Sequence, residues 1–345
     1  MRELKKLLFV FNPHAGKGHI KDDLCDIIDL FTAGGYEVLA YATQAPKDGY
    51  EKILKDGFNY DLIVVSGGDG TLSEAVSALM KLQEKEPNVR IPLGYIPAGS
   101  TNDFANSLGI SKKMLNAAKA IMQGEYYDCD IGQFNDRNFV YVAGFGAFTD
   151  VSYMTPQSIK NKIGHAAYIV EALKSIPKIS GQRLTVEHDG ETITDSFIVG
   201  LISNSRSIGG MKKLISKDVC FDDGLFEVVL AKTPENPLEL SSLIANAATN
   251  KLKDKNFVTF KASKVTFTSE NEIPWTLDGE AGGSHRQVTI INHRKAVRFV
   301  LQNDDLCFEQ HANETEEISR NVRDSIIIDT ENGDYIIEDQ SDIEN

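Results

Sequence analysis

No apolar run in the chain approaches the roughly 20 residues that a membrane-spanning helix needs. The N-terminal "MRELKKLLFVFN" places basic residues before an apolar run too short for a secretory signal, and no small-residue cleavage site follows. "LLFVFN" reads instead as a first buried strand. Cysteine is scarce. Cys25, Cys129, Cys220 and Cys307 are scattered, with no C-x-x-C pair. That spacing argues against a disulfide framework or a zinc site and fits a reducing cytoplasm. The seven histidines never fall at H-x-x-x-H spacing, so surface or satisfied core roles account for them. A basic excess is also missing, which excludes a nucleic-acid binder on charge grounds.

The net charge of −14 is unevenly placed. Residues 304–345 hold 14 acids against 2 arginines, so this tail carries −12 and residues 1–303 only −2. The body is close to neutral and the tail is an acidic appendage, partly disordered by composition. Its "DSIIIDT" and "DYIIED" runs are apolar enough for short strands. At 345 residues, 41% of them hydrophobic, the chain has room for two domains with separate cores.

Hydrophobic periodicity divides the chain near residue 130. Before it, strands ("LLFVFN", "YEVLAYAT", "YDLIVVSGG", "IPLGYIPAG") alternate with helical patterns ("IKDDLCDIIDLFTAG", "KDGYEKILKDG", "TLSEAVSALMKLQEK", "SKKMLNAAKAIMQG"). Such alternation predicts a parallel sheet covered on both faces. After it, strand-like runs joined by turns dominate, and only about 155–177 and 237–250 read as helical. The fold class is therefore α/β: an N-terminal α/β domain with a parallel sheet over 1–130, then a β-rich sandwich over 131–303, with the last segment expected to pack back on the first domain.

Three loops carry the chemistry. "FNPHAGKG" (11–18) ends the first strand, "GGDGT" (67–71) the third and "PAGSTNDFA" (97–105) the fourth. In an open parallel sheet, ligands bind beyond the C-terminal strand ends. Gly67, Gly68 and Gly70 let backbone approach phosphate closely, and a helix opening at Thr71 favours an anion. Asp69 is suited to a metal ion or its water. A plain turn with Asp69 or Thr71 as helix cap is the competing reading. No Walker A loop occurs. Three such loops delivered to one sheet edge favour a nucleotide cleft. "LDGE" (277–280) reads either as a plain hairpin by its Asp-Gly or as a turn whose Glu280, just past it, faces the cleft as a general base.

"NPHAGKG", "GGDGT", "PAGSTNDFA" and "LDGE", in this order and at these separations, resemble the bacterial diacylglycerol kinase family of soluble lipid kinases, related to the sphingosine and ceramide kinases. GGDGT alone is shared with NAD kinases and phosphofructokinases. The resemblance covers about residues 5–302 and leaves the acidic tail outside. It implies an ATP site lined by Asn12, Pro13, His14, Ala15, Gly16, Thr43, Gly68, Asp69, Gly70, Thr71, Leu72, Ser73, Glu74 and Ser100. It implies a catalytic magnesium network using Asp69, Asp103 and Asp130, and a structural magnesium loop in "CFDDGLF". There Asp223 would give its carboxylate, and Cys220 and Leu225 their carbonyls. Glu280 would be the general base and Asp278 a metal or phosphate-site acid. The implied reaction is ATP-dependent phosphorylation of a lipid hydroxyl, with Mg2+, by a cytoplasmic enzyme visiting a membrane surface. A homodimer is compatible with it.

A basic apolar stretch over 158–183, with Lys160, Lys162, Lys174, Lys178 and Arg183, reads as a membrane contact or as a solvated helix packed on the sandwich. Two other functions use some of the same residues: a kinase of a soluble substrate such as NAD, and a non-catalytic nucleotide- or lipid-binding protein.

Overall fold

The computed structural model describes residues 4–146, 181–205, 219–248, 252, 254–302, 326–328 and 335–337. The membrane-contact stretch therefore lies outside them except for its last three residues, and so does the helix expected at 155–177. The acidic tail does too, apart from two short paired strands, Ile326–Ile328 and Tyr335–Ile337. No helix among the described residues is long and apolar enough to cross a membrane.

The N-terminal half follows the expected alternation. Strands β1 (Lys5–Phe11), β2 (Tyr36–Ala42), β3 (Leu62–Gly67) and β4 (Leu93–Pro97) pair in parallel in the order β4-β3-β1-β2. Side chains alternate across β1 because successive Cβ atoms point to opposite faces. Leu7, Phe9 and Phe11 pack with Ile20, Ile27 and Phe31 of α1 (Ile20–Ala33). Leu8 and Val10 pack with Leu72, Val76 and Leu79 of α3 (Asp69–Lys85). With both faces covered, β3 is buried at every position, as its unbroken apolar run predicts. Helices α2 (Asp48–Asp56) and α5 (Met114–Gln123) complete the layers, and a five-residue helix, α4 (Asp103–Ser107), was not legible in the sequence.

From β5 (Glu125–Phe134) onward the structure is mostly antiparallel. The strands are β6 (Arg137–Phe139), β7 (Val142–Gly146), β8 (Gln182–His188), β9 (Glu191–Ser203), β10 (Phe226–Lys232), β11 (Phe257–Ala262), β12 (Lys264–Leu277) and β13 (Glu280–Leu301), with helix α6 (Pro237–Ala248) after β10. Trp275, 1% exposed, centres the second core, with Phe134, Phe145 and Phe267 around its ring at centroid distances of 5.2, 4.9 and 5.3 Å. Strand β13 pairs β12 and β5, and its Phe299 sits beside Leu93 of β4 in parallel. The two halves thus share one continuous sheet. One expectation fails. Cys220 is disulfide-bonded, because bridging depends on separation in space rather than on spacing in sequence. Cys25 and Cys129 are free.

Candidate active site

The three loops meet. Beyond β3, the Gly67 carbonyl accepts the Ala98 N–H at 2.8 Å and the Gly99 N–H at 3.2 Å. Gly68 and Gly99 lie so close that a Cβ on Gly99 would sit 2.5 Å from the Gly68 Cα. Gly16, at φ +56°, presses its bare Cα face on the Ala98 carbonyl, where a Cβ would come within 2.5 Å. Asn12 donates its N–H to the Ser66 carbonyl, and its Oδ1 accepts the His14 N–H at 2.9 Å. Glycine is needed at these contacts because backbone packs on backbone.

Asp69 does not cap α3; Gly68 holds the cap position without a side-chain bond. The Asp69 carboxylate turns inward. Its Oδ2 accepts the Thr101 hydroxyl at 3.0 Å and the Asp103 N–H at 3.3 Å, while Oδ1 is buried with no hydrogen-bond partner. Burial, and secondarily the Asp103 charge, push its pKa up. Such an orphaned carboxylate oxygen is costly alone and is relieved by a cation. The Asp69 Oδ1 is thus the atom of this cleft that a cation would satisfy, although no group of three or more candidate metal ligands gathers among the described residues.

Glu280 arrives from the other half. Asp278 (φ +50°) and Gly279 (φ +81°) form a two-residue hairpin turn between Leu277 and Glu280, the geometry that Asp-Gly favours. The turn lays the exposed Glu280 carboxylate on the GGDGT loop. A Cβ on Gly70 would lie 2.7 Å from Glu280 Oε1. Glu74, one helical turn along α3, accepts the Lys47 N–H at 2.7 Å. Its pKa is raised by burial, with the Glu280 charge adding to the effect. Thr43 is anchored through its N–H to the Phe11 carbonyl at 2.9 Å. Leu72 is fully buried in the core, so only its backbone can serve a ligand.

Other residues occupy places the motifs did not foretell. Asp130 is held by backbone of the second half. Its Oδ2 accepts the Gly224 N–H at 2.6 Å and its Oδ1 the Lys295 N–H at 2.7 Å. Burial raises its pKa to about 7, with Asp223 and Asp222 adding to the rise. In the 220–226 loop, Asp223 Oδ1 accepts the Leu225 N–H at 2.9 Å and its Oδ2 faces Lys261 Nζ at 3.5 Å. Lys295 Nζ faces Asp222 at 3.3 Å. Both Asp223 oxygens already have one partner each, which fixes the carboxylate within the loop. Asp278 is buried, and its two oxygens accept the N–H groups of Val140, Tyr141 and Val142. Burial pushes its pKa up to about 7 against those bonds, and Asp69 contributes.

Sequence reasoning missed Tyr95, whose buried hydroxyl donates to the Gly67 carbonyl at 3.2 Å. It also missed Asn102, which holds φ +54° and accepts the Gly99 N–H at 2.9 Å. Asn inside "GSTND" was the available signal, since Asn tolerates the left-handed region.

Residues 6–134 match the diacylglycerol kinase catalytic domain, and residues 142–296 match the YegS C-terminal NAD kinase beta sandwich-like domain. A diacylglycerol kinase of Bacillus subtilis is 31% identical over 81% of this chain and 91% of its own length. A diacylglycerol kinase of Staphylococcus aureus is 31% identical over 87% and 93%. In fold, the chain resembles a putative diacylglycerol kinase from Bacillus anthracis, with a TM-score of 0.75 at 23% identity, covering 89% of this chain and 98% of that one.

Proposed function

The chain belongs to the bacterial diacylglycerol kinase family and is an ATP-dependent lipid kinase, and on that premise we propose that it phosphorylates diacylglycerol to phosphatidic acid with Glu280 as general base. The observation that carries this reading is the seat of the Glu280 carboxylate on Gly70 of the nucleotide loop. A base that lifts a proton from the attacking hydroxyl must stand beside the phosphoryl donor. Phosphoryl transfer otherwise asks mainly for positioning and charge neutralisation. The converging glycine loops offer backbone N–H groups to the phosphates, and the start of α3 adds its dipole. Thr43 and Glu74 hold the neighbouring walls of the cleft.

Asp69 and Asp103 would hold magnesium, which when bound spreads the charge of the phosphates. Asp69 is oriented by Thr101 and the Asp103 backbone. The acceptor is insoluble in water, so the enzyme meets it at a bilayer surface, and the cations of 158–183 are the candidate contact. The soluble-substrate alternative is not favoured by relatives named diacylglycerol kinase. The test is incubation with labelled ATP and either dispersed diacylglycerol or NAD. Label in the lipid fraction that falls away in Glu280→Gln supports the proposal; label in NAD alone refutes it.

A further inference from the structure

We propose that Asp278 is a positioning residue that locks the Glu280 turn to the backbone of residues 140–142, and that it is not a ligand of metal or phosphate. This deepens the reading of Glu280 as base and rests on it. Asp278 Oδ2 accepts the Val140 N–H at 2.7 Å, and Oδ1 accepts those of Tyr141 at 2.9 Å and Val142 at 3.2 Å. The Asp278 N–H donates to the Val142 carbonyl at 2.9 Å. These four bonds continue a ladder in which Trp275, Thr276 and Leu277 of β12 pair with Phe145, Gly144 and Ala143 of β7. Where the chain leaves the strand to turn, the side chain takes over from the backbone.

The receiving segment is itself fixed. The Tyr141 carbonyl accepts the Ser203 hydroxyl at 2.8 Å and the Asn204 N–H at 3.1 Å. Glu280, two residues beyond Asp278, inherits that anchorage. The chemistry demands a carboxylate. Three donors converge on the side chain, and an ionised carboxylate is acceptor-only, whereas Asn would present an NH2 group to an N–H. Asp tolerates the left-handed conformation that the turn requires at 278. Both oxygens are engaged by backbone donors, which orients the carboxylate towards residues 140–142.

The test compares Asp278→Asn, Glu280→Gln and the double variant in the full chain. For Asp278→Asn we expect kcat to fall about 10–100-fold, the scale of misplacing a reacting group by about 1 Å. KM for ATP and the half-saturating Mg2+ concentration should stay within about twofold. In the double variant the Asp278 change should add little to Glu280→Gln, since both losses act through one group. A rise of about tenfold in KM for ATP or in Mg2+ requirement would make Asp278 a ligand and overturn the proposal. So would losses that multiply in the double variant. Near-normal turnover of Glu280→Gln alone would remove the base reading first, and the clamp with it. Should Asp278→Asn fail to fold, Asp278→Glu keeps the charge but displaces it by a methylene. Lowered kcat at unchanged Mg2+ requirement is the expected result there, and full activity overturns the clamp.

Discussion

Replacing Gly70 by Ala tests the catalytic geometry without touching the base. Gly70 lies inside the first turn of α3 with an ordinary negative φ, so Ala is conformationally at home there. The Cβ would meet only the Glu280 side chain, 2.7 Å from Oε1 and 3.7 Å from the carboxyl carbon. Ordinary contact begins near 3.4 Å, so the carboxylate must retreat by about 0.7 Å. That end of the side chain is exposed and can swing, so folding is barely taxed. Helix propensity favours Ala over Gly by up to about 1 kcal/mol. Stability should hold or rise slightly while the base is displaced, and a shift approaching 1 Å costs up to about 10²-fold in rate. We expect kcat on dispersed diacylglycerol to fall roughly 10- to 100-fold. ATP affinity by calorimetry should change little, and the melting temperature should not fall. Wild-type kcat in a folded, ATP-binding Gly70→Ala variant would refute the placement of Glu280 over the loop as a catalytic contact. A large loss of melting temperature would refute the packing argument instead.

Glu280→Gln should retain ATP binding and lose about 10²–10⁴-fold in turnover, the range of general acid–base catalysis, read by single-turnover kinetics. Gly99→Ala should weaken ATP binding and stability together, because its Cβ would meet backbone at 2.5 Å and overpacking of this kind costs about 1–3 kcal/mol; calorimetry and thermal melts check both. Asp130, whose folded pKa is raised to about 7, binds a proton in the folded state that the unfolded chain releases near pH 4. Its contribution is therefore fully present below about pH 4 and is lost as pH rises towards 7, with a slope of up to about 1.4 kcal/mol per pH unit. Asp130→Asn should flatten the wild-type slope over that window in melts taken from pH 4.5 to 8; an unchanged slope assigns the titration elsewhere.

The alternation of strands and helices up to residue 123 and the β-rich remainder were readable from period and turn chemistry. These signals are local: an alternating or 3.6-residue pattern and an Asp-Gly turn act within a few residues of themselves. The convergence of the three glycine loops was also readable, because parallel strands force their C-terminal ends to one edge of the sheet. The partners of the buried carboxylates were not. Asp278 binds N–H groups 136 to 138 residues away, and Asp130 binds one 94 and another 165 residues away. Three acidic positions near similar motifs looked alike in sequence. Only tertiary structure separated Asp69, left with an orphaned oxygen in the cleft, from Asp130 and Asp278, both occupied by backbone donors. A carboxylate's role is set by which donors and charges surround it, and in this chain those neighbours come from distant strands.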